Sequence, residues 1–337
     1  MSPRTLIPLA VSEVRRALGR PDYWHLEAPE GRHIDVSSPR GYYFDYSARV
    51  DYQGPRDAIG VPMLTDAGGR TVYSPPDVAQ FAFGNLELYL NTGNERRRRL
   101  FEAAAAVLMR TAEEVPGSYI GWPMPVAPRA LATKLGSGWF CGMAQGECVS
   151  LLVRAGSLFR VEGAIDHASR AMGGFHLTVE DGGLLREVGT PGQEGGLESV
   201  AFIEEYPMLD RLSLVLNGHI HAMWGIYDHW KVTHDHASEV LFDRCLRGLK
   251  FVLDRYDLGY WTRYDLDDGW SGANPASPIY HRIHVVQMKV LYRMTGDQAL
   301  LDAARRWEAY ASSPWNRARA YWRKVMFKVR NRDSAVG

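Results

Sequence analysis

Residues 78–111 read VAQFAFGNLELYLNTGNERRRRLFEAAAAVLMRT, and this stretch decides the fold. Val78, Phe81, Ala82, Leu86, Tyr89 and Leu90 recur at helical spacing, Asn91-Thr92-Gly93-Asn94 has turn composition, and an Ala-rich helix is predicted from Glu95 to about Thr111. Together they make a helix hairpin. Three more pairs follow. Ala144, Cys148, Leu151, Leu152, Ala155, Leu158 and Phe159 mark the second, and Leu216, Ile220, Met223, Trp224 and Tyr227 the third. The fourth joins Ile283–Met294 to Leu300–Tyr310 over Thr295-Gly296-Asp297, where Asp297 can cap the following helix. The pairs recur irregularly, about 70 residues apart, so a tight solenoid is not expected. The pattern predicts a mainly α fold, an incomplete α/α toroid of about four hairpins whose long loops build a cleft.

Outward from this body lie two segments of different texture. Residues 1–77 are rich in Gly, Pro, Tyr and Asp, and alternating runs such as GYYFDYSARVDY, residues 41–52, predict an extended or β-hairpin-rich arm. Residues 78–312 form the helical domain. Residues 313–337 form a basic tail, WNRARAYWRKVMFKVRNR from Trp315, which suits a solvated final helix, a dimer contact or a helix on a membrane surface. At the other end, the apolar run Leu6–Val11 is too short for a signal peptide's apolar segment or a membrane span, so a cytoplasmic protein is expected.

The 337 residues are 46% hydrophobic, enough for a substantial core, and carry 39 basic and 39 acidic side chains. With zero formal net charge, nothing global recruits nucleic acid, and recognition of an anionic partner has to be local. Cys141, Cys148 and Cys245 form no CxxC pair and read as reduced core residues. No phosphate-binding loop, dinucleotide fingerprint or serine-nucleophile elbow occurs, which argues against nucleotide-dependent and serine-hydrolase chemistry. The 17 Tyr and 10 Trp often sit beside Gly, Pro or Asp in predicted loops, where flat rings can serve as platforms for sugar faces.

Several blocks carry a resemblance: VPML (61–64), YSPPDVAQFAFGNLELY (73–89), GWP (121–123), GWFCGMAQGECVSLLVRA (138–155), EEYP (204–207), LVLNGHIHAMWGIYD (214–228), YDLGYWTRYDL (256–266) and YHRIH (280–284). In order and spacing, over roughly residues 60 to 310, they resemble the D-glucuronyl C5-epimerases, which convert glucuronate to iduronate in heparan-type chains. Two departures stand out. Animal members carry a β-sandwich-like region between the helices that are joined directly here, and the family shows an arginine after YDL where this chain has Asp267.

The resemblance implies inversion of C5 in glucuronate residues of a heparosan-like polysaccharide. Such a reaction needs a base on one face, an acid on the other, and neutralisation of an enolate-like charge. By resemblance Glu205 and Tyr280 are the opposed pair, Tyr206 and Tyr264 orient substrate or share the proton transfers, and a loop carries Tyr264 and Tyr280. His281, His284 and Arg282 would offer Tyr280 a cationic or hydrogen-bonding neighbour. Arg282, Arg263 or Arg129 would replace the missing arginine at the substrate carboxylate. Trp139, Gln145 and Asn217 are sugar contacts by analogy, against a core Trp, a helix-surface Gln and a helix-capping Asn.

Other constellations are weaker. His219 and His221 diverge on a helix, and His229, His234 and His236 are poorly spaced for zinc. Asp265, Asp267, Asp268 and Gly269 partly imitate a calcium loop but lack its closing Glu, so no cofactor is expected, with calcium as the alternative. Two rival functions remain: a uronate polysaccharide lyase, which begins with the same C5 proton abstraction, and a non-catalytic polysaccharide-binding protein. A homodimer is expected from the resemblance and the aromatic, basic tail.

Overall fold

In a computed structural model, residues 26–66, 68–128, 131–188 and 200–331 are described. Helix α1 (Pro75–Thr92) starts on two prolines and stops at Gly93, whose left-handed backbone (φ 66°) returns its N–H to the Tyr89 carbonyl. The next residue, Asn94, caps α2 (Glu95–Thr111) by accepting the Arg96 N–H. That turn makes the predicted hairpin.

The other three follow as α3 (Gly142–Phe159) with α4 (Ala164–Ala171), α5 (Leu216–Thr233) with α6 (His236–Val252), and α7 (Pro278–Thr295) with α8 (Gln298–Ser312). One member of each pair lies inside. Along α1, α3 and α5 nearly every residue of the first three turns is buried, whereas α2, α4 and α6 bury only a stripe, such as Phe101, Ala104, Ala105 and Leu108 of α2. The inner helices pack side by side and the outer ones cover them, which is the layering of an α/α toroid.

Inner helices α3 and α5 run closest. A Cβ on Gly146 would stand 2.5 Å from the Ala222 Cα, and one on Gly225 would stand 2.5 Å from the Gly146 carbonyl oxygen. Only glycine permits this crossing. The core they enclose holds Trp122, Trp224 and Trp307 fully buried, and it takes in the described part of the arm: Tyr42, Tyr43, Phe44 and Tyr46 pack into the same cluster.

Burial, more than strand pairing, organises the described part of that arm around residues 41–52. Gly41–Tyr52 forms no regular strand; Phe44 makes one bridge to Glu30, and Ser47–Asp51 is a 3₁₀ turn. Its backbone is held instead by Arg154 of α3, which donates to the Gly41 carbonyl and pairs at 2.5 Å with Asp228 of α5, itself accepting the Tyr43 hydroxyl at 2.6 Å. Regular strands are short two-stranded ribbons: β1 (Leu64–Thr65) with β2 (Thr71–Val72), β3 (Glu113–Val115) with β4 (Tyr119–Gly121), and β5 (Leu185–Glu187) with β6 (Ala201–Ile203). Helix α9 (Pro314–Arg330) closes the chain on the outside, with Ala320 its only buried residue. No helix among the described residues is long and apolar enough to cross a membrane.

Candidate active site

The fully buried strand β6 ends where EEYP begins, so the alternation of a strand sends Glu204 and Glu205 to opposite sides. Glu204 turns inward. Its carboxylate accepts the backbone N–H groups of Ser213 and Leu214 at 3.0 Å each and the Ser213 hydroxyl, fastening the loop that returns to α5. Glu205 turns to the cleft. It lies over Gly218 in the first turn of α5, where a Cβ would come within 2.3 Å of Oε2. Asn217 Nδ2 stands 3.4 Å from Oε2, and the Tyr264 hydroxyl stands 3.4 Å from Oε1.

Burial pushes the Glu205 carboxyl up to about 7; hydrogen bonds from Tyr206 and Tyr264 oppose this, and the nearby Asp265 and Glu204 carboxyls reinforce it. Burial, with Glu205 next in effect, drives the Tyr206 and Tyr264 phenols well above their ordinary range, so both are neutral proton donors at physiological pH. Their hydroxyls are 3.5 Å apart. The Tyr264 ring meets Tyr280 edge-on at 5.0 Å, and Tyr206 lies 5.6 Å from Trp139. Glu205, Tyr206, Tyr280 and Trp139 line one cavity of about 430 Å³, roofed by Met124–Pro128. No lysine or arginine lines it among the described residues.

Thus Glu205, Tyr206, Tyr264, Tyr280, Trp139 and Asn217 come together. Asn217 is not the cap of α5, which is Val215. Gln145 lies elsewhere: its side-chain amide donates at 2.9 Å to the carbonyls of Ile120 and Ala171, tying α3 to β4 and α4.

Tyr280, His281 and Arg282 are helical, not loop, because Ser277 caps and Pro278 starts α7, five residues before the predicted start at Ile283. That helix sinks His281 and His284 into the wall. His281 stacks on Trp261 at 3.7 Å and bonds Thr262 and the Trp307 carbonyl, and His284 bonds Thr262. Burial lowers His281 to about 4 and His284 well below its usual value, so neither supplies positive charge to a tyrosine. Arg282 faces outward to Glu27 at 2.5 Å. Arg263 is half-buried in the pairing of its backbone with Tyr256 and Pro275, and Arg129 lies outside the described residues. Asp267, at the expected arginine's position, is itself paired with Arg211 at 3.3 Å.

The acidic loop gathers no cation-binding set. Asp265 accepts from Asn274 and Asp267 from Gly269 and Arg211, and no group of three metal-ligating side chains converges among the described residues. His219 accepts the Ile203 N–H at 2.8 Å and stacks on Phe202 at 3.7 Å, so it steadies the strand that presents Glu205. One charged neighbour of the site is not legible in the sequence. Lys324 of α9 stands 5.7 Å from the Tyr264 ring and donates to Asn274, which in turn donates to Asp265. Nothing local signals this, because Lys324 looks like any other cation of a basic tail.

Residues 116–309 match the family model described as the D-glucuronyl C5-epimerase C-terminus. The chain is 31% identical over 234 residues to the D-glucuronyl C5-epimerase of Caenorhabditis elegans, covering 64% of this chain and 36% of that protein. It is 29% identical over 173 residues to the uncharacterized protein MJ1128 of Methanocaldococcus jannaschii, covering 51% of this chain and 53% of that one. It therefore spans about a third to a half of these curated relatives. Among solved structures it is similar to the unsaturated glucuronyl hydrolase of Bacillus sp. GL1, with a TM-score of 0.46 and 15% identity over 69% of this chain and 61% of that one. Glu205, Tyr206, Tyr264 and Tyr280 fall within the matched segment, and α9 lies beyond it.

Proposed function

The chain belongs to the D-glucuronyl C5-epimerase family, and from that premise we propose that it inverts C5 of D-glucuronate residues to L-iduronate in a heparosan-like polysaccharide. The observation that carries this reading is the buried Glu205 carboxyl, held at about 7 at the edge of a cavity that Tyr280 also lines. A carboxyl poised there exchanges a proton readily in either direction near neutrality. Ionised Glu205 takes the C5 proton, and the C–H electron pair passes into the enolate of the uronate carboxylate. Tyr280 delivers its hydroxyl proton to C5 from the opposite face. Tyr206 and Tyr264 hold the base by hydrogen bonds, and proton exchange with solvent then resets both groups. No cofactor takes part in this scheme, and the assembly is proposed to be a homodimer, for which light scattering is expected to give a two-chain mass.

The enolate charge is the demanding step. Since no cation lines the cavity among the described residues, the neutral phenols and the Asn217 amide are the described groups that can stabilise it by hydrogen bonds. The lack of a lysine or arginine among the described lining residues is also the observation that favours the second reading, a polysaccharide-binding protein without turnover.

Proton NMR of a heparosan-type polymer in heavy water decides between them. Wild-type protein is expected to erase the C5 proton signal while the chain stays intact, and Glu205→Gln is expected to abolish the exchange. Absence of exchange on any uronan, with binding retained, sinks the epimerase reading. A rise in ultraviolet absorbance from an unsaturated product would make the protein a lyase instead.

A further inference from the structure

A second groove, of about 510 Å³, lies outside the catalytic cavity, between α9 and the loop 258–275. Tyr260, Pro275, Trp322, Arg323, Phe327 and Arg330 form its walls. We propose that it is a non-catalytic subsite for the same acidic polysaccharide, holding a stretch of chain away from the residue being inverted. The proposal rests on the reading of the cleft as a uronan site.

Charge is the first argument. The protein as a whole is balanced, yet α9 carries Arg317, Arg319, Arg323, Lys324, Lys328 and Arg330 with no acidic residue. Arg319, Arg323 and Arg330 have no acidic partner among the described residues, and Arg319 lies 3.8 Å over the Tyr260 ring. Cations left unneutralised beside one groove make it a local attractor for a polyanion. Surface chemistry is the second argument. Trp322 is 64% exposed beside Arg323, so a flat apolar ring for a sugar face and a guanidinium for a carboxylate stand next to each other. Shape argues against a lipid surface. An in-plane membrane helix shows a convex apolar stripe, whereas Met326 and Phe327 are partly buried along the groove, Phe327 against Trp270.

The third argument is continuity. The loop that walls the groove also walls the catalytic site: the Asn274 carbonyl accepts the Tyr264 N–H at 2.8 Å, and its side chain joins Asp265 to Lys324. One loop therefore separates the two places where a uronan would touch the protein.

The test compares a long heparosan-type polymer with a tetrasaccharide cut from it, on the full chain carrying Trp322→Ala and Arg323→Ser. Both side chains are exposed, so folding should survive, and Arg323→Lys should restore part of the effect. The double variant is expected to bind the polymer about tenfold more weakly, most clearly at low salt, with tetrasaccharide affinity and turnover per site unchanged. Equal affinity for the polymer in variant and wild type overturns the proposal, as does an equal loss on the tetrasaccharide. Loss of binding to phosphatidylserine vesicles with polymer binding intact would assign the groove to a membrane, and conversion of a dimer to monomer would assign it to a second copy; either outcome overturns it. C5 exchange by the wild type separates the two readings, because polymer binding that depends on Trp322 and Arg323 without any such exchange would refute the epimerase and leave the subsite standing.

Discussion

The two walls of the cleft are built by different means. The β6–α5 wall presents Glu205 through backbone bonds and steric contact: His219 grips β6, Glu204 fastens the loop, and Gly142 and Gly218 leave no room for a side chain against Glu204 and Glu205. The facing wall, from Tyr264 to Asn274 with α9 behind it, is joined by side chains that titrate or carry charge, namely Asp265, Asp267, Arg211 and Lys324. A base must be aimed to a fraction of an ångström, and covalent geometry does that best. Charge acts over a longer range and tolerates adjustable side chains. The difference suggests a fixed wall for proton transfer and a tunable wall for electrostatics.

If that division holds, the largest effect short of removing Glu205 should come from a single methyl group under it. Gly218→Ala would place a Cβ 2.3 Å from Glu205 Oε2, and the carboxylate must swing away. Turnover is expected to fall about 100-fold or more, since misplacing a reacting group by an ångström costs that much. Melting temperature should drop as well, because the same Cβ would stand 2.6 Å from the Glu205 Cβ, a contact that only a shift of the backbone relieves. A Gly218→Ala protein with near-normal C5 exchange would show that the fixed wall is not fixed.

The sequence carried the fixed wall further than the tunable one. Hairpins were legible because apolar spacing and turn chemistry are local: Gly93 and Asn94 end one helix and start the next within two residues. Glu205, Tyr206, Tyr264 and Tyr280 come from a block pattern, and the fold gathers them from the segment after β6, a loop and α7. The first turn of α7, with Tyr280, is less legible although Ser277 and Pro278 are a helix start, because the Gly- and Pro-rich run before them has loop composition. The fate of His281 and His284 depends on Thr262 and Trp307, and that of Asp267 on Arg211 more than fifty residues earlier. Such pairings leave no periodic trace. Neither does the arm's anchorage, where Gly41–Tyr46 alternates like a strand but is held by burial and by Arg154.

A smaller effect should appear far from the chemistry, where the scaffold holds a buried carboxyl. Burial pushes Glu147 on α3 up to about 8, against hydrogen bonds from Gln80 at 2.9 Å and Tyr46 at 3.4 Å. In the folded chain it stays protonated where the unfolded chain has already ionised, so its stabilising contribution is present below about pH 4.5 and is lost as pH rises toward 8. Glu147→Gln cannot ionise and keeps the shape. The variant is therefore expected to match wild type near pH 5 and to exceed it by about 1–3 kcal/mol at pH 8, read as a melting-temperature difference that widens with pH. A constant difference across that range would mean that Glu147 is ionised in the fold.

The smallest expected effect tests the tunable wall itself. Lys324 bonds Asn274 at 2.7 Å, stands 5.7 Å from the Tyr264 ring, and draws down the Asp265 carboxyl, which burial has pushed up to about 7 and which in turn raises Glu205. Removing the ammonium lets Asp265 hold its proton to higher pH. Its negative charge then bears less on Glu205, while the positive field near Tyr264 is lost. Lys324→Met is accordingly expected to lower turnover about three- to tenfold and to displace the pH–rate profile, and Lys324→Arg should recover most of both. A purely structural lysine would instead change stability and leave the shape of the profile alone. Since Lys324 lies on α9, beyond the segment that matches the family model, a displaced profile would also mean that a helix outside that segment tunes the proposed chemistry.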